Sequence, residues 1–253
     1  SGLEGLAKKR GVTVIEGTAA FDAPQRIMVT AKDGTVTPVE CDRVIIASGS
    51  RPATIPQLNL DSPRVMDSTA ALTLADIPET LLVIGGGYIG LELGSVYAAL
   101  GSKVTVVEAL PNLLPGADAD LTAILARRLG KRFTAIRLST TVESMAETKD
   151  GIKVRFSAGE AKEATFAKVL VSVGRKPNSS GLGLKNTAVT LDPKGFIIVD
   201  PSRRTADESI WAIGDVAGEP QLAHKAAAEA RVAVESIAGR KVVFEPKAIP
   251  AVV

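Results

Sequence analysis

Apolar residues follow two patterns along this chain: short uninterrupted runs and longer stretches with helical spacing. The short runs are typical of strands buried in a parallel sheet, and they cover residues 43–47, 81–84, 103–107, 166–173 and 209–213. Helical spacing extends over residues 3–10, 91–100, 117–129 and 222–237, with Gly11, Gly101 and Gly239 just beyond three of these stretches. Together they predict an α/β fold with a doubly wound sheet.

Smaller elements are predicted between these runs. Alternating residues predict a hairpin of strands 27–30 and 36–40 around Asp33-Gly34. Further strand-like segments lie at 12–16, 134–138, 140–146, 152–157 and 195–199. Residues 53–66 are predicted to form an irregular connection, after which Asp67 or Ser68 caps a short helix through Leu74, and Asp118 is the expected cap of the helix over 117–129.

The stretch from Leu81 to Glu108 carries the most specific functional signal. Its first strand ends in Gly85, Gly87 and Gly90, spaced G-x-G-x-x-G, and a helix and a second strand follow. In such a unit the first glycine forms the tight turn, the second lets a pyrophosphate approach, and the third lets helix and strand pack closely. The helix N-terminus offers N–H groups to phosphates. The alternative, a simple glycine turn, does not explain why all these parts occur together.

The acid that ends the second strand indicates which dinucleotide binds. Glu108 lies where an acid accepts hydrogen bonds from an adenosine ribose. A 2′-phosphate beside this carboxylate would bring like charges together, and no arginine directly follows Glu108. We therefore expect NAD rather than NADP, unless Glu108 is only a surface charge.

Composition excludes several other classes of protein. A net charge of +2 and 4% aromatic residues, without a basic run, do not indicate nucleic-acid binding. Charged residues interrupt the apolar stretches, so no transmembrane helix is predicted, and the first eleven residues do not form a signal peptide. The single cysteine, Cys41, excludes an internal disulfide and a cysteine-based zinc site and fits the cytoplasm. No metal is expected.

Three predicted strands end in glycine and polar residues, at 47–52, 173–178 and 212–216. Ligands of doubly wound sheets collect at strand C-termini, so these turns are candidate cofactor contacts. Asp215 directly follows a buried strand and Gly214, where a carboxylate can accept two hydrogen bonds from a polyol. The alternatives are plain turn glycines and a turn or helix-capping aspartate. One interpretation of the segments on either side of the central unit is a second nucleotide domain that the first interrupts.

Five separated motifs resemble a known family. They are ASGSRP (47–52), GGGYIGLELG (85–94), the terminal Glu108, VGRKPN (173–178), and AIGDV followed by LAHKA (212–226). In this order the chain resembles the pyridine nucleotide–disulfide oxidoreductases, and among them the bacterial members that oxidise protein-bound dihydrolipoamide to lipoamide. The resemblance implies a Rossmann-like NAD-binding domain (77–200) inserted in a partial FAD-binding domain (1–76 and 201–247), with 248–253 starting a dimerisation domain.

The resemblance also implies roles for individual residues. The expected NAD contacts are Gly85, Gly87, Tyr88, Ile89, Gly90, Glu108, Val142 and Gly174, and the expected FAD contacts are Gly17, Gly49, Asp215, Leu222 and Ala223. Tyr88 and Glu92 are four positions apart and share a helix face, which in the family points toward nicotinamide and flavin. The alternatives are a packing aromatic and a solvated charge.

Other features of the family do not occur in these residues. Family members begin with their own flavin G-x-G-x-x-G and a C-x4-C disulfide, whereas Cys41 has no second sulfur for exchange. The only histidine, His224, belongs to the LAHKA motif and is not expected to act as the catalytic base. We therefore expect an internal, catalytically inactive fragment that binds NAD and has lost FAD, and Cys41 to be inert.

The resemblance implies partners for the parent enzyme, a homodimer that serves the dihydrolipoyl groups of 2-oxo acid dehydrogenase complexes. Two other functions stay open at this stage. One is a stand-alone NAD-binding module, which would not need the flavin motif around Asp215. The other is a related flavoenzyme without the cysteine pair, such as a soluble transhydrogenase or NADH oxidase. A purely structural protein would leave the glycine pattern unexplained.

Overall fold

A computed structural model describes residues 2–159 and 162–252. Its α-helices are α1 (Gly2–Lys9), α2 (Ser68–Leu72), α3 (Tyr88–Ala99), α4 (Ala119–Leu129) and α5 (Ala223–Ile237). Its strands are β1 (Thr18–Ala23), β2 (Arg26–Thr30), β3 (Val36–Glu40), β4 (Val44–Ile46), β5 (Ser50–Pro52), β6 (Val65–Met66), β7 (Thr80–Ile84), β8 (Lys103–Val107), β9 (Ala135–Arg137), β10 (Val142–Thr148), β11 (Gly151–Phe156), β12 (Glu163–Phe166), β13 (Lys168–Val171), β14 (Arg175–Pro177) and β15 (Ile210–Ala212). Short 3-10 helices cover Pro56–Leu58, Leu184–Asn186 and Gly214–Ala217.

The chain divides into two compact units. The central unit is Pro52–Arg175, with which Ala251 and Val252 group, and the terminal unit is the described chain up to Arg51 together with Lys176–Pro250. The chain passes from one unit to the other after Arg51 and again after Arg175. Both boundaries come earlier in the chain than those predicted after residues 76 and 200. Segment 52–76 groups with the central unit because it supplies β6 and α2, and β6 pairs with β13. Residues 1 and 253, the outer ends of the predicted ranges, lie outside the described residues, as do 160 and 161.

A five-stranded parallel sheet forms the middle of the central unit, in the order β6-β13-β7-β8-β9. Successive residues of β7 point to opposite faces of the sheet. Leu81 and Val83 pack into a core with α3 and α4. Leu82 and Ile84 pack into a second core with the antiparallel sheet β10-β11-β12. Burial on both faces explains why the run is continuously apolar, and the mixed α/β fold with a parallel sheet confirms the predicted class.

The terminal unit contains the antiparallel sheet β1-β2-β3 and the parallel pair β15-β4. The hairpin predicted around Asp33-Gly34 is confirmed, with Thr30 opposite Val36. Ile46, Ile210 and Ala212 of the parallel pair pack into one core, and Trp211 packs with α5 into another. A further two-stranded ladder pairs β5 with β14.

Three sequence predictions about elements are wrong in detail. Residues 12–16 are irregular and exposed, and the strand begins at Thr18 instead. The apolar run 166–173 is not one strand, because β12 ends at Phe166 in the antiparallel sheet and β13 begins at Lys168 in the parallel sheet. Segment 195–199 forms only an isolated bridge, between Leu191 and Ile197.

Candidate functional site

The turn after β7 can form only with glycine at Gly85. Its φ is 110°, a backbone conformation that side chains disfavour. A β-carbon at Gly85 would also lie 2.3 Å from the carbonyl oxygen of Ser172. Both observations fit the role that the spacing predicts, a tight turn between strand and helix.

The other two glycines of the motif lie in different surroundings. A β-carbon on Gly90 would lie 2.3 Å from the oxygen of Gly85 and 2.6 Å from Ser172 Oγ, so this glycine lets α3 approach the sheet. Nothing lies within 4 Å of a β-carbon position on Gly87. Gly87 is the N-cap of α3, and no side chain caps the helix there. An uncapped helix start beside an open glycine is suited to phosphate binding.

Glu108 is bonded to this turn by one carboxylate oxygen and to the residues that follow β8 by the other. Its side chain follows β8 and the residue is 8% exposed. Oε2 accepts a hydrogen bond from the backbone N–H of Gly86 at 2.6 Å, and Oε1 accepts one from the N–H of Leu110 at 2.8 Å. A carboxylate has about four acceptor positions, so capacity for a ribose diol remains. The arrangement therefore fits the adenosine side of a dinucleotide.

The other residues expected at the NAD site have different degrees of exposure. Tyr88 is 39% exposed and Glu92 is exposed, and both lie on the outer face of α3. Val142 packs against the core beneath the antiparallel sheet. Gly174 has φ 108°, and its oxygen accepts a hydrogen bond from the N–H of Ala53 at 2.9 Å. Ile89 packs partly against the core of α3. Their contacts with NAD stay predictions.

In the terminal unit, two of the predicted turns lie side by side. Ser48 Oγ donates to the oxygen of Asn178 at 2.8 Å, and Asn178 Nδ2 donates to the oxygen of Ser48 at 3.0 Å. The N–H of Asn178 also bonds to the oxygen of Gly49, whose φ is 70°. Ser50 Oγ donates to Asp215 Oδ2 at 2.5 Å. The geometry thus brings Gly49 and Asp215 together, as expected for strand ends that share a ligand.

Asp215 is suited to bind a polyol. It is half-buried on the turn after β15, and its bond from Ser50 leaves other acceptor positions on the carboxylate. These features fit the ribityl chain of a flavin. Leu222 is the N-cap of α5 and has no side-chain cap bond, and Ala223 is exposed at the first turn. Gly17 precedes β1, where a β-carbon would lie 2.6 Å from the oxygen of Thr30. Flavin contacts of these residues stay predictions.

The single cysteine and the single histidine both lie beside backbone oxygens. Burial, together with Glu40 and Asp42, raises the pKa of the Cys41 thiol, and a raised pKa makes a thiol less reactive at neutral pH. Cys41 Sγ lies 3.5 Å from the oxygen of Gln25. His224 is exposed, and its Nε2 lies 2.8 Å from the oxygen of Pro250.

Sequence reasoning missed a cluster of charged side chains next to Gly214. Glu229 is fully buried, and its Oε1 lies 2.9 Å from Arg203 Nη1 and 3.3 Å from Lys225 Nζ. Its Oε2 accepts a hydrogen bond from the N–H of Gly214 at 2.7 Å. Lys225 and Glu229 are four apart on α5, which resembles an ordinary surface pair in sequence. No pattern in the sequence indicates their burial.

Within residues 2–159 and 162–252, no helix has the length and apolar character needed to cross a membrane. The same residues contain no group of three or more His, Cys, Asp or Glu side chains that could hold a metal ion.

Comparisons with known proteins show which family this chain resembles. Residues 1–230 match the family described as pyridine nucleotide-disulphide oxidoreductase. The chain is 43% identical over 252 residues to a dihydrolipoyl dehydrogenase of Haemophilus influenzae, covering 99% of this chain and 52% of the relative. A dihydrolipoyl dehydrogenase of Vibrio parahaemolyticus is 42% identical, with 99% and 53% covered. The chain thus spans about half the length of the curated relatives it matches.

Solved structures give the same result. LpdA from Mycobacterium tuberculosis superposes with a TM-score of 0.88 at 29% identity, over 96% of this chain and 54% of that one. The HOCl-induced flavoprotein disulfide reductase RclA of Escherichia coli gives 0.85 at 28% identity, over 96% and 54%. Family match, sequence identity and fold therefore confirm the resemblance on which the site residues were assigned. This chain belongs to the pyridine nucleotide-disulphide oxidoreductase family.

Proposed function

We propose that this chain provides the NAD-binding site and part of the flavin site of an enzyme that oxidises protein-bound dihydrolipoamide to lipoamide. Relatives at about 40% identity carry the name dihydrolipoyl dehydrogenase. The observation that supports the proposal most is the bond between Glu108 and the N–H of Gly86. It holds the Glu108 carboxylate beside the glycine turn that opens α3, where the proposal needs an acceptor for the ribose.

The residues of the chain would bind and orient the cofactors. When bound, FAD and NAD would supply the hydride chemistry. The start of α3 would hold the pyrophosphate, and Glu108 the adenosine ribose. Tyr88 and Glu92, exposed on one face of α3, would line the nicotinamide end. Asp215 would hold the flavin ribityl chain. The partners of the full-length enzyme would be the dihydrolipoyl groups of 2-oxo acid dehydrogenase complexes and a second copy of itself.

We further propose that these 253 residues alone do not oxidise dihydrolipoamide. Thiol–disulfide exchange needs one sulfur that attacks and one that resolves, and the sequence contains one cysteine. The raised pKa of Cys41 makes that thiol a poor nucleophile. Assay of the purified chain with dihydrolipoamide, NAD and added FAD should give no NADH, and NADH formation would contradict this proposal.

Calorimetric titration with NAD and NADP tests the NAD site. We expect wild-type chain to bind NAD more tightly than NADP because Glu108 repels a 2′-phosphate. Glu108→Gln should weaken NAD binding about tenfold, since one ionic acceptor is lost. Glu108→Arg would be less informative, because it also removes both backbone hydrogen bonds that Glu108 accepts.

The matched control is Glu79→Gln, because Glu79 is an exposed acid of the same unit that pairs with Lys103. This variant should bind NAD like wild type. Equal affinity of wild type and Glu108→Gln for NAD would overturn the role of Glu108. A parallel titration with FAD, followed by flavin absorbance, tests the second site. Binding of NAD without flavin is the result expected for a chain that holds only part of the flavin site, and stoichiometric flavin binding would contradict that expectation.

A further inference from the structure

The buried cluster around Glu229 holds the loop Gly214–Gly218 at several backbone atoms. Glu229 Oε2 accepts from the N–H of Gly214 at 2.7 Å. Lys225 Nζ donates to the oxygen of Gly218 at 2.9 Å and to that of Gly214 at 3.3 Å. The loop is thus bonded from α5 at both of its ends. Asp215 lies within it and is not itself part of the cluster.

The second cation of the cluster reaches Glu229 because of an unusual backbone. Arg203 has φ 68°, a left-handed conformation that a non-glycine residue adopts only when its surroundings impose it. Asp200 forms the turn: its Oδ1 accepts from the N–H groups of Ser202 and Arg204. The Arg203 guanidinium then lies on Glu229 and 5.0 Å above the centre of the Phe244 ring. Two separate segments therefore converge on one carboxylate.

Such a cluster is unfavourable unless its groups are paired. Glu229 is fully buried, and the Lys225 and Arg203 side chains are 4% and 14% exposed. Moving charged groups from water into the protein interior is costly in free energy. Replacing a buried ion pair by apolar residues is therefore often neutral for stability. Stability alone is thus a weak reason for these charges. Their shared geometric effect is to fix Gly214 and Gly218 on either side of Asp215.

We propose that Glu229, supported by Lys225 and Arg203, is a positioning residue that sets the orientation of the Asp215 carboxylate toward a polyol ligand. The inference rests on the proposed flavin role of Asp215 and extends it to residues that do not touch the ligand. It assigns the alanine-rich helix α5 a function in ligand geometry. It also explains why Arg203 adopts a left-handed backbone.

Two double variants of the full chain isolate the hydrogen bond that the N–H of Gly214 donates to Glu229. Lys225→Met with Glu229→Gln keeps an acceptor for the N–H of Gly214, whereas Lys225→Met with Glu229→Met removes it. Both have the same net charge as wild type and similar side-chain volumes. The readouts are the carboxyl 13C chemical shift of Asp215 at neutral pH and the affinity for FAD. Glu235→Gln, an acid on the same helix that pairs with Arg240, is the control.

We expect the control to keep the wild-type Asp215 signal. The glutamine variant, which keeps the bond to Gly214 but lacks Lys225, should stay closer to wild type than the methionine variant. The methionine variant should shift that signal further and, where wild type binds FAD, weaken FAD binding about tenfold, because a buried N–H loses its acceptor. A folded methionine variant with an unchanged Asp215 signal would overturn the proposal. If wild type binds no FAD while the Asp215 signals follow the expected pattern, the flavin function of this chain fails and the positioning role stands.

A milder variant decides the question if the methionine variant does not fold. Asp200→Ala lies on the exposed turn that orients Arg203 and leaves all three cluster residues in place. It should shift the Asp215 signal in the same direction by a smaller amount. An unchanged Asp215 signal in folded Asp200→Ala would then overturn the proposal.

Discussion

The two candidate nucleotide sites are held in place by different forces. In the central unit, backbone packing fixes the turn, since β-carbons on Gly85 and Gly90 would each lie 2.3 Å from a backbone oxygen. In the terminal unit, side chains from distant segments fix the loop around Asp215. Ser50 donates a hydrogen bond to Asp215, which lies 165 positions further along the chain, and Arg203 pairs with Glu229, 26 positions away.

This difference determines how each site responds to change. A steric arrangement depends on the absence of atoms, so one added methyl group disrupts it and salt does not. An arrangement of charges depends on pairing and hydrogen bonds, so it responds to pH and to loss of a single acceptor. Variants that affect one mechanism and leave the other intact can test this contrast.

The largest effect is expected from adding a methyl group at the turn after β7. Gly85→Ala combines a disfavoured φ of 110° with overlap on the oxygen of Ser172. We expect a loss of about 3 kcal/mol in the unfolding free energy of the central unit, together with loss of NAD binding. Chemical denaturation and calorimetry measure the two effects.

Gly87→Ala is the matched control for that substitution. Nothing lies within 4 Å of its β-carbon position, and its φ of −78° suits alanine. It should reduce stability by no more than about 1 kcal/mol while still weakening NAD binding, because the methyl group occupies the approach path. Equal destabilisation by both substitutions would show that steric packing does not distinguish the glycines.

An intermediate effect on stability is expected when low pH protonates Asp207 in the terminal unit. Burial opposes ionisation of Asp207, but hydrogen bonds from Ser209 and from the N–H of Ala188 dominate and lower its pKa below the ordinary 3.8. A lowered pKa in the folded state stabilises the fold at pH above 3.8, and this contribution is lost as pH falls below 3.8 through the folded value. The unfolding free energy should therefore decrease in that window.

Asp207→Asn tests the origin of this pH dependence. The variant should lose about 1 kcal/mol at neutral pH, since one hydrogen bond to the carboxylate is removed, and its stability should change less between about pH 5 and pH 3. Urea denaturation across this pH range provides the comparison. If the unfolding free energy of the variant fell with decreasing pH as steeply as that of wild type, the pH dependence would come from other carboxylates.

The smallest effect is expected at an exposed ion cluster. Glu163 bonds to Lys153 and Arg155, which lower its pKa, but all three side chains are solvent-accessible. Solvent screening makes such pairs contribute little. Glu163→Gln should leave the urea midpoint unchanged, in contrast to substitutions of buried Glu229. A large destabilisation would contradict the distinction between exposed and buried clusters.

The sequence was sufficient to predict the glycine turn, because every part of it lies within one stretch ending at Glu108. Spacing also predicted that Gly87 and Gly90 would differ, and their surroundings do differ. The closeness of Ser50 and Asp215 followed from the rule that the C-termini of neighbouring parallel strands meet at one edge, because these residues follow β4 and β15. These predictions depend on local pattern or on general rules of sheet topology.

Other features depend on long-range packing that periodicity does not report. Lys225 and Glu229 occupy polar positions of an amphipathic helix, and only tertiary structure shows that the face carrying them is buried. The strand predicted at 12–16 is rich in β-branched residues, yet a strand needs a partner and these residues lie exposed. The split at Ala167 was missed because only Phe166 of β12 belongs to the apolar run, and no glycine or proline separates it from β13.

That split has a consequence for the folding of the central unit. The N–H of Ala167 donates to Thr80 Oγ at 2.8 Å, between a residue paired in the antiparallel sheet and one paired in the parallel sheet. A one-residue slip of either ladder would pull the other out of register, because the two strands are separated by a single residue. The two sheets should therefore lose their amide protection in one cooperative step, as a single foldon.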